Sequence, residues 1–286
     1  MIPSPFDYVA ASTVEEAIQA LAQAGDDAKI LAGGQSLVPV LRLRLAAPTM
    51  IVDLNKISEL RGVRDDGDAI VVGAMTTHHD VINNPLVREH AAVLALATQT
   101  VGDPQIRHRG TLGGALVHAD PAGDLLAPAV ALDCEMAIVG PGGRRTVPAA
   151  EFFVDLFTTA VGPDEVLVEV RIPKKTGWGA HYAKFNRVAQ AWSIVGVAAA
   201  VRIEGELIAQ ARVALTNMGA IPVRAASVEQ ALIGQPADAQ TIRAAAEHAA
   251  EGTSPMSDGN ADTDYREHLA RVLTGRAVAA AAGVGG

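Results

Sequence analysis

The chain has 286 residues, enough for about two domains, of which 49% are hydrophobic, 19% charged and only 3% aromatic. The net charge of −9 argues against nucleic-acid binding, because such proteins need a basic patch that neutralises phosphates. The sequence contains no run of about 18 apolar residues and no signal-peptide pattern, so we expect no membrane span and a cytoplasmic location.

The chain contains one cysteine, Cys134, which excludes an internal disulfide. A lone thiol also cannot hold an iron–sulfur cluster or a structural zinc ion by itself. We expect Cys134 to be a small buried core residue at the point where a helix runs into a strand.

Residues 1–55 have the pattern of a β–turn–α–β unit. A capped amphipathic helix is predicted at residues 13–24, with Ser12 or Thr13 as the cap and two glutamates in its first turn. The remaining predicted elements of this segment are a strand at 28–32, a tight turn at 33–36, a short helix at 37–46 and a strand at 50–54.

A different pattern begins near residue 56 and continues to residue 175. An Asp-Asp-Gly turn inside residues 62–77 predicts two adjacent strands. The segment then predicts a helix at 84–101, a long loop punctuated by Gly and Pro at 102–134, a hairpin at 136–153 and a strand at 166–173. A loop of that length is usually functional or disordered, and the alternation of Gly with apolar residues favours function.

Residues 174–180, KKTGWGA, mark a boundary, and residues 176–286 predict a small α+β domain. Its predicted elements are three strands at 180–187, 193–203 and 207–218, followed by helices at 225–234, 241–252 and 265–282.

Two glycine turns carry most of the chemical information. The first, Ala32 to Leu37, follows a strand and opens a helix with Ser36 near its N-cap. A helix start offers unpaired N–H groups and a positive dipole end, and glycine lets a phosphate approach the backbone closely. This turn can therefore bind an anion without Lys or Arg, although a strained turn alone would also explain the two glycines.

The second glycine turn, Gly110 to Ala115, is followed by Asp124 in front of a predicted helix. The Asp124 carboxylate can cap that helix or accept hydrogen bonds from a ligand. Neither turn has the spacing of the G-x-G-x-x-G dinucleotide fingerprint. His78 and His79 are adjacent, and on a strand they would point apart, so joint metal binding is not expected.

Three motifs occur together in a specific order: AGGQSL from residue 32, TLGGALVHADPAGDL from residue 111 and VLVEVRIP from residue 166. With IPSPFDY near the start and SDGNADTDYREHLARVL near the end, the sequence resembles the FAD-binding flavoprotein (medium) subunit of molybdenum hydroxylases over nearly its whole length. That group includes the carbon monoxide dehydrogenases and xanthine dehydrogenases.

The resemblance implies an α+β protein with the two-subdomain FAD-binding fold of the vanillyl-alcohol oxidases and a small α+β C-terminal domain. The implied FAD-binding subdomains are residues 1–55 and 56–175, and the flavoprotein C-terminal domain is residues 176–286. It also implies that the first turn wraps the FAD diphosphate and that the second contacts the diphosphate and the ribityl chain.

The FAD-binding residues implied by the resemblance are Ala32, Gly33, Gly34, Gln35, Ser36, Leu37, Thr111, Gly113, Gly114, Ala115, Asp124, Leu167, Lys184 and Trp192. Among them, Asp124 matches an acidic residue that binds the nucleotide, and Lys184 matches a lysine beside the isoalloxazine ring. A cation there stabilises negative charge on reduced flavin, whereas a solvated strand lysine is the plainer alternative for Lys184.

The chain departs from the family pattern at two of these positions. Ala115 stands where the family usually has Asn, which removes one polar side-chain contact. Trp192 stands roughly where the carbon monoxide enzymes have a tyrosine, and it can either cover the flavin or simply pack. Residues 188–191 also differ from the carbon monoxide type, so the resemblance does not imply carbon monoxide as the substrate.

The resemblance further implies two partners, a small subunit with two [2Fe–2S] clusters and a large subunit with a molybdenum cofactor. Electrons would run from molybdenum through the clusters to FAD and on to quinone, NAD or oxygen, within a heterohexamer built as a dimer of heterotrimers. No metal ligands and no catalytic acid, base or nucleophile are expected in this chain. The alternatives are a self-contained flavin oxidase or dehydrogenase of the same fold and a scaffold that has lost its flavin.

Overall fold

The computed structural model describes residues 2–285, and its first sheet is parallel with the strand order β1-β3-β2. Helix α1 begins after Thr13, whose side chain accepts a hydrogen bond from the Glu16 N–H, as the capping pattern predicts. Strand β1 was not predicted, because its four residues pair with β3 far along the chain. The elements are β1 (Asp7–Ala10), α1 (Val14–Ala24), β2 (Ala28–Leu31), α2 (Leu37–Arg42) and β3 (Met50–Asp53).

The second sheet is antiparallel, has five strands in the order β4-β5-β10-β6-β7 and is accompanied by a small hairpin of β8 and β9. The predicted Asp-Asp-Gly turn joins β4 to β5, with Gly67 at a φ of 74°. These strands are β4 (Val63–Asp66), β5 (Ala69–Gly73), β6 (Glu135–Gly140), β7 (Gly143–Pro148), β8 (Phe153–Asp155), β9 (Thr158–Thr159) and β10 (Val166–Pro173).

A helical layer is inserted between β5 and β6, and here three sequence predictions are wrong. His78 and His79 begin a helix instead of lying on a strand, the helix expected at 84–101 breaks at Ala91 (φ −141°, ψ 45°), and the stretch expected to be a loop contains two helices that were not predicted. The helix predicted after Asp124 is confirmed, at Leu126–Ala131. The helices are α3 (His78–Asn83), α4 (Pro85–His90), α5 (Ala92–Gln99), α6 (Pro104–Arg107), α7 (Leu112–His118) and α8 (Leu126–Ala131), and α9 (Ala149–Phe152) follows β7.

The remaining chain forms a four-stranded antiparallel sheet in the order β11-β12-β13-β14, backed by helices. The first three strands and the helices agree with the sequence prediction, whereas the two-residue strand β14 was not predicted. Its elements are β11 (Gly179–Phe185), β12 (Val195–Glu204), β13 (Leu207–Thr216), β14 (Val223–Arg224), α10 (Ala226–Leu232), α11 (Ala239–Ala246) and α12 (Thr263–Ala282). Short 3-10 turns lie at 25–27, 58–60 and 247–250.

The sheets are joined through shared apolar cores. Helix α8 is buried along its whole length, and Ala198 and Ala214 of the C-terminal sheet belong to the same core as the helical layer and the antiparallel sheet. Cys134 is buried in this core, as expected, and burial raises the pKa of its thiol. Helix α1 and the parallel sheet pack on Val166 and Val168 of β10. Within residues 2–285, no helix has the length and apolar character needed to cross a membrane.

Candidate functional site

A cavity of about 900 Å³ lies where the parallel sheet, the helical layer, β10 and β11 meet. This volume is near the upper end of the range for small-molecule and cofactor sites. The structure places all of the predicted site residues around it, namely Ala32, Gly33, Gly34, Gln35, Ser36, Leu37, Thr111, Gly113, Gly114, Ala115, Asp124, Leu167, Lys184 and Trp192. Their individual contacts with a cofactor stay a prediction.

The first glycine loop, residues 32–37, connects β2 to α2 and lines the cavity. Within residues 2–285, the backbone N–H groups of residues 33–37 donate to no protein acceptor. Consecutive free N–H groups at a helix start form a concave donor surface that suits an anion. Ser36 occupies the N-cap position, but its side chain makes no capping hydrogen bond, and α2 ends earlier than expected, at Arg42.

The structure gives a reason for glycine at position 33 that differs from the expected approach of a phosphate. A Cβ atom there would lie 2.7 Å from the Gly110 Cα and closer still to the Arg109 carbonyl oxygen. The second glycine loop, residues 110–115, thus occupies the direction in which a side chain would project. Gly33 is required by the approach of the two loops, and not simply by the approach of a phosphate, whereas Gly34 has a φ of 76° that side chains rarely adopt.

The second glycine loop is largely helical, because α7 begins at Leu112 and contains Gly113 and Gly114. Thr111 caps this helix by accepting a hydrogen bond from the Gly114 N–H at 3.2 Å. A Cβ on Gly113 would lie 2.6 Å from the Ala74 Cβ, so α7 sits directly against the end of β5. The two glycine loops and β5 therefore form one closely packed wall of the cavity.

Asp124 lies at the centre of a buried network that reaches the C-terminal sheet. Its Oδ1 atom accepts hydrogen bonds from Tyr182 Oη at 2.9 Å and Ser193 Oγ at 2.7 Å, and its Oδ2 atom pairs with Lys184 Nζ at 2.7 Å. Burial raises the pKa of the Asp124 carboxyl, and the Lys184 ammonium and the hydroxyl groups of Ser193 and Tyr182 oppose the rise. The network ties the segment before α8 to β11 and to the residues just before β12.

This network excludes one of the two alternatives for Asp124 and one for Lys184, and their roles toward a ligand stay a prediction. Asp124 does not cap α8, whose N-cap position is Leu125 and carries no side-chain cap. Lys184 is not a solvated lysine, since its side chain is only 7% exposed. Its positive charge is balanced by Asp124 at the cavity wall, so a ligand there would meet an ion pair and not an isolated cation.

Trp192 lies on the cavity rim in the segment that connects β11 to β12, and 55% of it is exposed. In the same segment, Gln190 Nε2 donates to Asp103 Oδ2 at 3.3 Å. The exposed indole is therefore free to contact a ligand in the cavity, and it is not part of the core.

His78 is a cavity residue that the sequence analysis considered only as half of a histidine pair. It is buried, its backbone N–H donates to the Gly110 carbonyl at 2.9 Å, and burial together with the Arg107 charge lowers its pKa to about 4. Thr77 followed by Asp80 is a helix-start pattern that could have placed His78 in the first turn of α3. A neutral imidazole thus backs the second glycine loop.

Comparisons with known proteins agree with this geometry. Residues 4–175 match the family model "FAD binding domain in molybdopterin dehydrogenase", and residues 180–281 match "CO dehydrogenase flavoprotein C-terminal domain".

Individual proteins match over nearly the full chain. The chain is 39% identical to the carbon monoxide dehydrogenase medium chain of Hydrogenophaga pseudoflava, covering 98% of both chains. It is 35% identical to the 6-hydroxypseudooxynicotine dehydrogenase complex subunit alpha of Paenarthrobacter nicotinovorans, covering 98% of this chain and 96% of the relative. A solved structure of the Hydrogenophaga pseudoflava carbon monoxide dehydrogenase, lacking the Mo-pyranopterin moiety of its cofactor, has a chain that superposes with a TM-score of 0.96 at 40% identity, covering 100% of both.

Proposed function

The chain belongs to the family of FAD-binding medium subunits of molybdenum hydroxylases, which are oxidoreductases, and we propose that it carries electrons between a partner's [2Fe–2S] clusters and an external acceptor. The row of free N–H groups along the first glycine loop carries the proposal, because it fits the diphosphate of FAD. Bound FAD supplies the redox chemistry, and the protein supplies binding, orientation and local charge.

The cavity residues have distinct roles in this proposal. The first glycine loop donates hydrogen bonds to the diphosphate, while the second loop and β5 pack together with it and fix the shape of the first loop. The Asp124–Lys184 pair holds an ammonium group at the wall beside the C-terminal sheet, and Trp192 shields the rim. Leu167 of β10 adds apolar surface to the same cavity.

The partners in the proposal are a small subunit with [2Fe–2S] clusters and a large subunit with a molybdenum cofactor, assembled in the cytoplasm as a heterohexamer. Relatives of similar identity are named for carbon monoxide and for 6-hydroxypseudooxynicotine, which supports a substrate site outside this chain. The same fold can thus serve enzymes with different substrates, and the external acceptor is quinone, NAD or oxygen.

The experiment is purification of the affinity-tagged full chain from its native host, followed by subunit identification and analysis for iron, molybdenum and flavin. We expect two co-purifying subunits, with iron and molybdenum in the complex and one FAD per tagged chain. A tagged chain that purifies alone and oxidises a substrate with its own flavin would contradict the proposal and support the self-contained oxidase. A chain that purifies without flavin in a complete complex would also contradict it.

A further inference from the structure

Asn55, in the turn after β3, contacts the first glycine loop but is not among the residues that line the cavity. Its Nδ2 atom donates to the Ala32 carbonyl oxygen at 3.0 Å and to Asp53 Oδ1 at 2.7 Å. The Asn55 backbone N–H also donates to Asp53 Oδ1, at 2.8 Å. The Asn55 side-chain amide is thus held by several hydrogen bonds, and one of its N–H groups donates to the loop that lines the cavity.

The hydrogen bond to Ala32 determines the direction of the next N–H group. In a planar trans peptide, the C=O and the following N–H point in opposite directions. Because the Ala32 carbonyl is held toward Asn55, the Gly33 N–H points away from Asn55. Gly33 lines the cavity and Asn55 does not. The Gly34 carbonyl accepts a hydrogen bond from the Val38 N–H of α2 at 3.0 Å. The Gln35 N–H, in the same peptide plane as that carbonyl, therefore points away from Val38.

Arg61 extends this support to the chain just after β5, in the same wall of the cavity. Its guanidinium donates through NH2 to Asn55 Oδ1 at 3.2 Å and through NH1 to the Met75 carbonyl at 3.1 Å. Met75 follows Ala74, whose carbonyl accepts the Gly113 N–H at 2.8 Å. A continuous set of hydrogen bonds therefore runs from the first glycine loop through Asn55 and Arg61 to the strand end that supports α7.

We propose that Asn55 is a positioning residue for the diphosphate, since it holds the Ala32–Gly33 peptide with its N–H directed into the cavity. This inference rests on the proposed function and adds a residue that lies outside the cavity wall. Without the amide, the peptide is free to rotate, and the row of donors loses its first member. Arg61 supports Asn55 and does not contact the loop itself.

The test compares the full-length wild type with Asn55→Ala and Asn55→Asp. Asn83→Ala is the matched control, because Asn83 also donates to a backbone carbonyl, that of His79 at 2.8 Å, but its side chain is exposed and does not line the cavity. Dissociation constants are measured for FAD, ADP and riboflavin, and the melting temperature is measured without ligand. ADP contains the diphosphate without the flavin, and riboflavin contains the flavin without phosphate.

We expect Asn55→Ala to raise the Kd for FAD and for ADP by the same factor, about tenfold to a hundredfold, and to leave riboflavin binding within about twofold. Asn55→Asp keeps an acceptor for Arg61 but loses the donor, so it should not restore binding, and Asn83→Ala should match the wild type.

Three results would overturn the inference. An unchanged Kd for FAD in folded Asn55→Ala, or wild-type affinity in Asn55→Asp, would show that the Asn55 donor does not orient the loop. An equal loss for riboflavin would show a general structural role. In each of these cases the proposed function survives, whereas a wild-type chain that binds neither FAD nor ADP would overturn both proposals.

Discussion

Gly33→Ala tests the packing of the two glycine loops, and the structure gives the size of the perturbation. The added Cβ would lie 2.7 Å from the Gly110 Cα and 2.8 Å from the Arg109 carbonyl carbon. Carbon atoms pack at about 3.5–4.0 Å, so the backbone of the second loop must retreat by about 1 Å. Overpacking of this kind costs about 1–3 kcal/mol of stability.

The displacement should weaken FAD affinity as well as stability, because it moves the backbone against which the first glycine loop packs. Hydrogen bonds from N–H groups to a charged phosphate contribute about 1.5–3 kcal/mol each, so the loss of one weakens binding by about tenfold to a hundredfold. The assay is FAD titration followed by flavin fluorescence, together with urea unfolding of the ligand-free protein. Gly142→Ala is the control, since a Cβ there meets nothing within 4 Å.

Wild-type FAD affinity in Gly33→Ala would refute this reasoning. It would mean either that the loops separate without disturbing the donors or that FAD does not bind to the first glycine loop. A loss of affinity in Gly142→Ala equal to that in Gly33→Ala would also contradict it, because that glycine lies in the β6–β7 hairpin, outside the cavity wall.

Two further predictions concern buried ionisable side chains. Asp124→Asn leaves the Lys184 ammonium buried without its carboxylate, so we expect the free energy of unfolding, measured in urea, to fall by about 3–5 kcal/mol. Adding Lys184→Met should make the total loss smaller, and strictly additive losses would contradict a coupled pair. The pKa of His78 is lowered to about 4 from an ordinary value of 6.5, so the unfolded chain binds the proton first as the pH falls. Stability should therefore drop by about 3 kcal/mol between pH 6.5 and pH 4 on account of this residue, and His78→Gln should flatten the decline; the same decline in both proteins would show that His78 is not the cause.

The elements that the sequence predicts well are those whose signals are local. Helix α1 follows from the Thr13 cap and its apolar spacing, and the β4–β5 turn follows from a three-residue pattern. The motifs also identify the two loops and the residues that surround the cavity. The order of the motifs along the chain is enough to assign these residues, because the resemblance to the family extends over nearly the whole sequence.

The features that the sequence does not reveal depend on contacts between distant segments. Ser193 meets Asp124 across 69 residues, so the buried network could not be distinguished from a helix cap. The contact of Gly33 with the Arg109–Gly110 backbone is equally non-local, and it changes the physical reason for that glycine. Strand β1 is four residues long and depends on β3 for its pairing, which no periodicity within the strand discloses.

The helical layer shows a different limit. Its helices are mostly four to eight residues long, too short to establish a clear helical period. Glycine and proline in this region are typical of loops, yet Pro85 and Pro104 lie in the first turns of helices, where proline is tolerated. The capping residues Asn84 and Asp103 are the local signals that separate these short helices from a loop.

The central claim is that the two glycine loops hold FAD, and the most direct measurement is the cofactor content of the purified full chain. The absorption spectrum is recorded after desalting, with and without prior incubation with FAD, and the ligand released on denaturation is identified by mass. The account predicts a flavin spectrum and one FAD per chain, with no substitution by riboflavin. A folded chain that retains no flavin after incubation, alone or with its partner subunits, would contradict it.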